Sequence, residues 1–191
     1  MSEQFITRQT LLQRVAGPDG YDAWKEFVSY YESFIFMLLR GMKVPEADCE
    51  DIAQNVQVKI WKNLDKYRSN RAKFRTWFST IIRNEVNTYY DSQRRLNRKH
   101  EALKNEMKPG SMTDEVFDQL VEREWSVYVT NLAMQRVEKH FTGNAIEVFK
   151  LTLDGMDAKV IAKRFDIVVS TVYALRNRVK KKLLEEVDGL R

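Results

Sequence analysis

From residue 22 to residue 40, Trp24, Phe27, Tyr30, Tyr31, Phe34, Ile35 and Leu38 recur at spacings of three and four. That period is the turn of an α-helix and gathers the apolar side chains into one stripe. The stripe returns as Ile52, Val56, Ile60 and Leu64, widened by Ala53 and Trp61. It appears again as Phe74, Trp77, Phe78, Ile81, Ile82, Val86 and Tyr89. Between the first two stripes "MKVPEADCED" breaks and restarts the helix. Pro45 sits near the new start, and Glu46, Asp48, Glu50 and Asp51 favour its positive end. Three stripes of this kind require one another as cover and predict a compact helical core ending near Gln93.

Residues 94–112, "RRLNRKHEALKNEMKPGSM", lose the stripe and finish in Pro-Gly-Ser. They read as a linker with a helical first part. A second apolar pattern follows in Val116, Leu120, Trp125, Tyr128, Val129, Leu132 and Val137. It runs on through "AIEVFKLTLDG", where Gly155 is placed to stop a helix. With only three Pro and seven Gly in 191 residues, little interrupts helix elsewhere. The expected fold class is all-α: two small helical domains, 1–96 and 113–191, joined by a flexible linker at 97–112, the C-terminal one containing a helix-turn-helix.

Several function classes recede on composition. Cys49 is the single cysteine, so no internal disulfide forms. The opening "MSEQFITRQT" has neither an apolar core nor a small-residue cleavage site. The longest apolar run, "FIFMLL" at 34–39, falls far short of the roughly 20 residues a bilayer span needs. A cytoplasmic protein without membrane insertion is expected. There is no Gly-rich phosphate loop, and His100 and His140 lack partners at ligand spacing. No catalytic residue, cofactor, metal or small-molecule substrate is expected.

The 32 Lys and Arg against 27 Asp and Glu become informative through where they cluster. "STVYALRNRVKKKL" at 170–183 carries five positive charges and no negative one. Val172, Leu175, Val179 and Leu183 give it one inward stripe, and Ser170 or Thr171 is placed to cap it. Ahead of it, Val160, Ile161 and Phe165 give a short helix a buried face, with small Ala162 allowing a close crossing. A helix-turn-helix places the start of its second helix at base edges in the major groove. Ser170, Thr171, Tyr173, Arg176 and Asn177 are then candidates for bases or nearby phosphates, and Lys180 and Lys181 for phosphate. A membrane-surface helix would carry bulkier apolar residues than this small, partly β-branched stripe.

The first core carries two more polar sets. "DCEDIAQNVQVKIW" turns Asp48, Asp51, Gln54, Asn55 and Lys59 outward, which alone is an ordinary solvated face. In "FRTWFSTIIRNEVNTYYDSQRR", Arg83, Asn87, Tyr90 and Arg94 recur opposite the apolar stripe, with Asn84 and Arg95 alongside. Arg, Asn and an aromatic in one row suit phosphates and unstacked bases. Phe78 is expected in the core, and Trp77 stands between core and nucleic-acid contact.

The chain resembles an RNA polymerase sigma factor of the extracytoplasmic-function type, a sigma-70 family class keeping only regions 2 and 4. The likeness runs from about Leu11 to Val187 and rests on "DCEDIAQNVQVKIWKNLDKY", "FRTWFSTIIRNEV" and "DGMDAKVIAKRFDIVVSTVYALRNRVKKKLLEEV", in this order. The "VYxxRxRVxxxLxEEV" ending and the opening "TRQTLLQRVAGPDGYDAWKEFVSYY" are most similar to members common in Planctomycetes-like bacteria. The resemblance implies that Asp48, Asp51, Gln54, Asn55 and Lys59 dock on core RNA polymerase. It implies that the loop from Lys66 to Lys73, with Phe74, Arg75 and Trp77, captures a flipped base of the −10 element. Lys73, Arg75, Trp77, Arg83, Asn84, Asn87, Arg94 and Arg95 would hold the −10 DNA, and Ser170 to Lys181 would read the −35 element. Promoter DNA and core polymerase are the implied partners, and an anti-sigma factor is one that many relatives have. Departures from the family's pattern are Asp166 where Gly is usual, Val168 where a capping Ser is common, Asn55 where Glu is frequent, and Gln57 where an apolar residue is usual. Asp tolerates the left-handed conformation that Gly supplies, so the turn is expected to survive. The alternative is a helix-turn-helix regulator that binds duplex DNA without joining the polymerase. It accounts for residues 156–184 and leaves the other two sets unused.

Overall fold

A computed structural model describes residues 8–15, 17, 20–68, 73–100 and 112–190. Its regular elements among these residues are all helical, as the periodicity predicts. In order they are α1 (Arg8–Val15), α2 (Gly20–Gly41), α3 (Glu46–Asn63) with a 3-10 turn (Leu64–Lys66), α4 (Phe74–His100), α5 (Asp114–Glu138), α6 (Ala145–Leu153), α7 (Ala158–Phe165) and α8 (Val169–Leu190). Most of the expected linker, residues 101–111, lies outside the described residues. None of these helices is long and apolar enough to cross a membrane.

Packing divides the chain into two compact units, Arg8–Trp125 and Ser126–Arg191. In the first, α1 packs on α2, and α2, α3 and α4 pack on one another. Their stripes meet in a fully buried core of Phe27, Phe34, Ile35, Leu38, Val56, Ile60, Phe78, Ile82 and Val86. Its aromatic rings pack on one another. Phe78 stacks on Phe34 with centroids 5.8 Å apart and on Phe74 at 5.3 Å, and Tyr31 lies 5.4 Å away. Offset and edge-to-face rings add to what burial alone gives.

The restart at Pro45 is built as expected. Pro45 is the N-cap of α3, with Glu46 and Asp48 in its first turn. Arg40 reaches across the turn to Glu46 with two hydrogen bonds, of 3.1 and 2.7 Å. That contact holds the Glu46 carboxyl below the usual carboxylate range.

Within Ser126–Arg191, α6 and α7 both pack on α8. Val137, Ala145, Phe149 and Val179 form one buried cluster; Val148, Ile161, Ala162 and Val172 form another. Leu175 packs against both clusters and Leu183 against the first, so the expected inward stripe of α8 holds. Glu186 is buried on the same helix, with Lys182 at 3.0 Å, Arg136 at 3.8 Å and His140 at 3.9 Å around its carboxylate. A buried charge is tolerated only with such partners.

The turn between α7 and α8 survives its missing glycine. Asp166 takes the left-handed conformation at φ 52°, ψ 49°, and Gly155 ends the preceding α6 segment at φ 80°. Asp157 caps α7 by accepting a 2.8 Å hydrogen bond from the Lys159 amide.

Five sequence expectations need correction here. Ser170 and Thr171 do not cap α8, because the helix begins at Val169 and the Val168 carbonyl already takes the Thr171 amide at 2.9 Å. Val160 is 55% exposed, and Ile161 with Ala162 makes the α7 contact instead. On α5, Val116 is exposed while its neighbour Phe117 is buried. Trp61 is 46% exposed, with an edge contact to Trp24 at 5.1 Å. Tyr90, expected in the outward row of α4, is buried. Its hydroxyl donates to the Lys43 carbonyl at 2.7 Å, with the Met42 carbonyl 3.2 Å away.

Candidate nucleic-acid interface

On α3 the inward residues Ile52, Ala53, Val56 and Ile60 are buried, which forces the intervening positions out. Asp51, Gln54 and Asn55 are exposed, as their spacing predicts. Val58 and Trp61 are exposed on the same helix, giving this polar face an apolar component that stripe counting does not reveal. The other two candidates on α3 are engaged. Asp48 accepts a 2.6 Å hydrogen bond from the Tyr89 hydroxyl of α4, and Lys59 forms an ion pair with buried Glu85 of α4. Both contacts tie α3 to α4.

The Tyr89 contact has a pH signature. Burial first, and the Asp48 hydrogen bond second, push the Tyr89 hydroxyl up to about 12. The neutral phenol is the form the fold favours. Its contribution to stability is therefore complete below the ordinary tyrosine value near 10 and fades as pH rises from there through about 12. Thermal midpoints of the wild type and Tyr89→Phe should accordingly converge above about pH 10. A gap that stays constant across that range would show that Tyr89 does not titrate in this way.

The start of α4 presents an aromatic step. Phe74 is buried, while Trp77 is half-buried, 5.7 Å from Phe74 and 5.2 Å from Tyr67 by ring centroid. Trp77 thus packs against Phe74 and Tyr67 and keeps part of its surface exposed, an arrangement able to receive a stacked base. Lys73 is exposed beside it. Arg68 donates to the carbonyls of Tyr67, at 3.0 Å, and of Asp65, closing the near end of the loop. Residues 69–72 of that loop lie outside the described residues.

Further along α4, Asn84 and Arg95 are exposed and Asn87 half-buried, while Arg94 pairs with Asp91 at 3.2 Å. Arg75 and Arg83 are held. Arg75 Nη1 lies 2.7 Å from Glu122 Oε2, and Arg83 Nη1 lies 2.7 Å from Asp114 Oδ1. Asp114, Phe117 and Glu122 were not among the sequence candidates. The signal for the two carboxylates was present as the four-residue recurrence of Asp114, Asp118 and Glu122.

The basic set on α8 gathers as one exposed surface. Ser170, Tyr173, Arg176, Asn177, Lys180 and Lys181 are exposed, with Thr171 half-buried among them. Val172 and Val179 are fully buried behind it. The Arg176 guanidinium lies 5.3 Å from the Tyr173 ring, within reach of a cation–π contact. Among the described residues no group of three or more His, Cys, Asp or Glu is arranged to hold a metal ion.

Comparison with known proteins bears on the first unit. Residues 27–96 match the family model of sigma-70 region 2. That span is α2 from Phe27, all of α3, and α4 through Leu96. No curated protein matches the chain. Among solved structures, the chain is similar to CnrH in a structure of CnrH in complex with the cytosolic domain of CnrY. The identity is 19% and the TM-score 0.37, over 93% of this chain and 95% of that one.

Proposed function

We propose that the chain is a transcription initiation factor of the sigma-70 family that binds core RNA polymerase and directs it to promoters. The observation that carries this reading is the region 2 match over residues 27–96, which falls on the helices bearing the α3 polar face and the α4 aromatic–basic row. In this reading Asp51, Gln54 and Asn55 of α3 dock on the polymerase with exposed Val58 and Trp61, while Asp48 and Lys59 act from their ties to α4. Lys73, Arg75, Trp77, Arg83, Asn84, Asn87, Arg94 and Arg95 hold the −10 DNA. Ser170, Thr171, Tyr173, Arg176, Asn177, Lys180 and Lys181 read the −35 duplex as region 4.

The mechanism is differential binding with no covalent step. Taking a base out of the stack costs a few kcal/mol. Stacking on an aromatic returns about 1–3 kcal/mol per base, and phosphate contacts from α4 add to it. The part-exposed ring of Trp77 suits the stacking contribution.

Trp77→Ala should therefore leave duplex promoter binding near wild type while reducing permanganate reactivity of −10 thymines in the polymerase complex. Wild-type reactivity in that variant would remove Trp77 from strand capture. A regulator that only binds duplex DNA is supported by the α7–α8 pair and its exposed basic face. It predicts no permanganate-reactive bases with any variant, and it gives the α3 and α4 faces no task.

A further inference from the structure

Two of the arginines that the proposed function directs at DNA, Arg75 and Arg83, are already holding oxygen atoms. Asp114 Oδ1 takes Arg83 Nη1 at 2.7 Å, and the Met112 carbonyl takes Arg83 Nη2 at 2.9 Å. The same guanidinium lies 4.7 Å over the Phe117 ring. Glu122 Oε2 takes Arg75 Nη1 at 2.7 Å. Two oxygens on one guanidinium with an aromatic face beside it reproduce what a nucleotide's phosphate and base would offer.

The segment presenting these oxygens is anchored separately. Phe117, Leu120, Val121 and Trp125 are buried. Trp125 sets its edge against Phe34 at 4.9 Å, and Leu120 lies so close to Gly41 that a Cβ there would fall 2.6 Å from Leu120 Cδ1. The carboxylates stand at the other margin of the same half-helix, with the Asp114 and Glu122 side chains 89% and 63% exposed. Apolar contacts thus fix the segment, and solvent-screened ion pairs close over the arginines. Pairs so exposed are weak individually and yield to a polyanion that makes several contacts at once.

We propose that residues 112–125 are an intramolecular nucleic-acid mimic, occupying Arg75 and Arg83 in the free protein and competing with a DNA strand for them. The inference rests on reading α4 as a nucleic-acid surface. It makes strand affinity of the free chain lower than the α4 face alone would give, and it places the regulation in Asp114 and Glu122.

The test is fluorescence anisotropy of the full chain with a labelled mixed-sequence single-stranded oligonucleotide at low salt. Asp114→Asn with Glu122→Gln should tighten binding by about tenfold. Glu115→Gln with Asp118→Asn makes the same charge change at exposed positions of the same half-helix, and should produce a clearly smaller gain. Adding Arg75→Ala and Arg83→Ala to the first pair should abolish its advantage. Leu120→Ala, which weakens the anchor and alters no charge, should also tighten binding. Equal gains from the two carboxylate pairs would overturn the mimic while leaving α4 as a strand-binding surface. Absence of strand binding in every variant would overturn the reading of α4 itself.

Discussion

Phe78→Ala should cost about 3–5 kcal/mol of stability, the range for removing a buried aromatic ring from a core that cannot collapse around the gap. Phe78 is fully buried and its ring touches those of Phe27, Tyr31, Phe34 and Phe74. Those residues come from α2 and from the first turn of α4, so the cavity opens between helices that have no other way to close it. Urea unfolding followed by circular dichroism measures the loss. Trp77, one position along the same helix, should behave differently. Its ring is half-buried, packing against Phe74 and Tyr67, so Trp77→Ala should lose much less stability. Equal losses from the two variants would mean that Trp77 is core and would weaken its assignment to strand capture.

Arg176→Ala should weaken binding to a −35 duplex by about 1–3 kcal/mol, the discrimination a bidentate arginine–guanine contact supplies. The side chain is exposed on the face of α8 opposite buried Val172 and Val179, beside the Tyr173 ring. Competition with duplexes altered at one base pair separates two roles. A base-reading arginine loses its preference at one position, whereas a phosphate-binding lysine such as Lys180 loses affinity evenly across sequences. Unchanged affinity of Arg176→Ala would remove this residue from the reading set.

Most helices were legible in the sequence because their signal is local. The stripe Phe27, Tyr31, Phe34, Ile35, Leu38 needs only the helical period to predict which side is buried, and those five residues are buried. The inward stripe of α8 and the left-handed Asp166 follow from equally local chemistry. Stripe margins were less legible. A one-residue step turns a helix by about 100°, so Val116 and Phe117, or Val160 and Ile161, are alternatives that only the neighbouring helix decides.

The α4 row departs from its expected outward placement at Tyr90 for a related reason. The turn at Met42 and Lys43 and the first half of α5 both cover one side of α4, so its buried arc is wider than its apolar stripe. Tyr90 turns inward because two carbonyls of that turn stand within reach of its hydroxyl. Arg83 and Arg75 are engaged by residues 31 and 47 positions away, and no spacing rule connects partners so distant in sequence. The acidic recurrence on α5 was visible, but only the packing of Leu120 and Trp125 shows which basic face it meets.

The central claim is that this chain gives core RNA polymerase its choice of start site. Purified chain added to core polymerase on fragmented genomic DNA, followed by sequencing of transcript 5′ ends, measures that directly. The account predicts new start sites that appear only when the chain is present and share upstream elements at −35 and −10. Identical 5′ ends with and without the chain would contradict it.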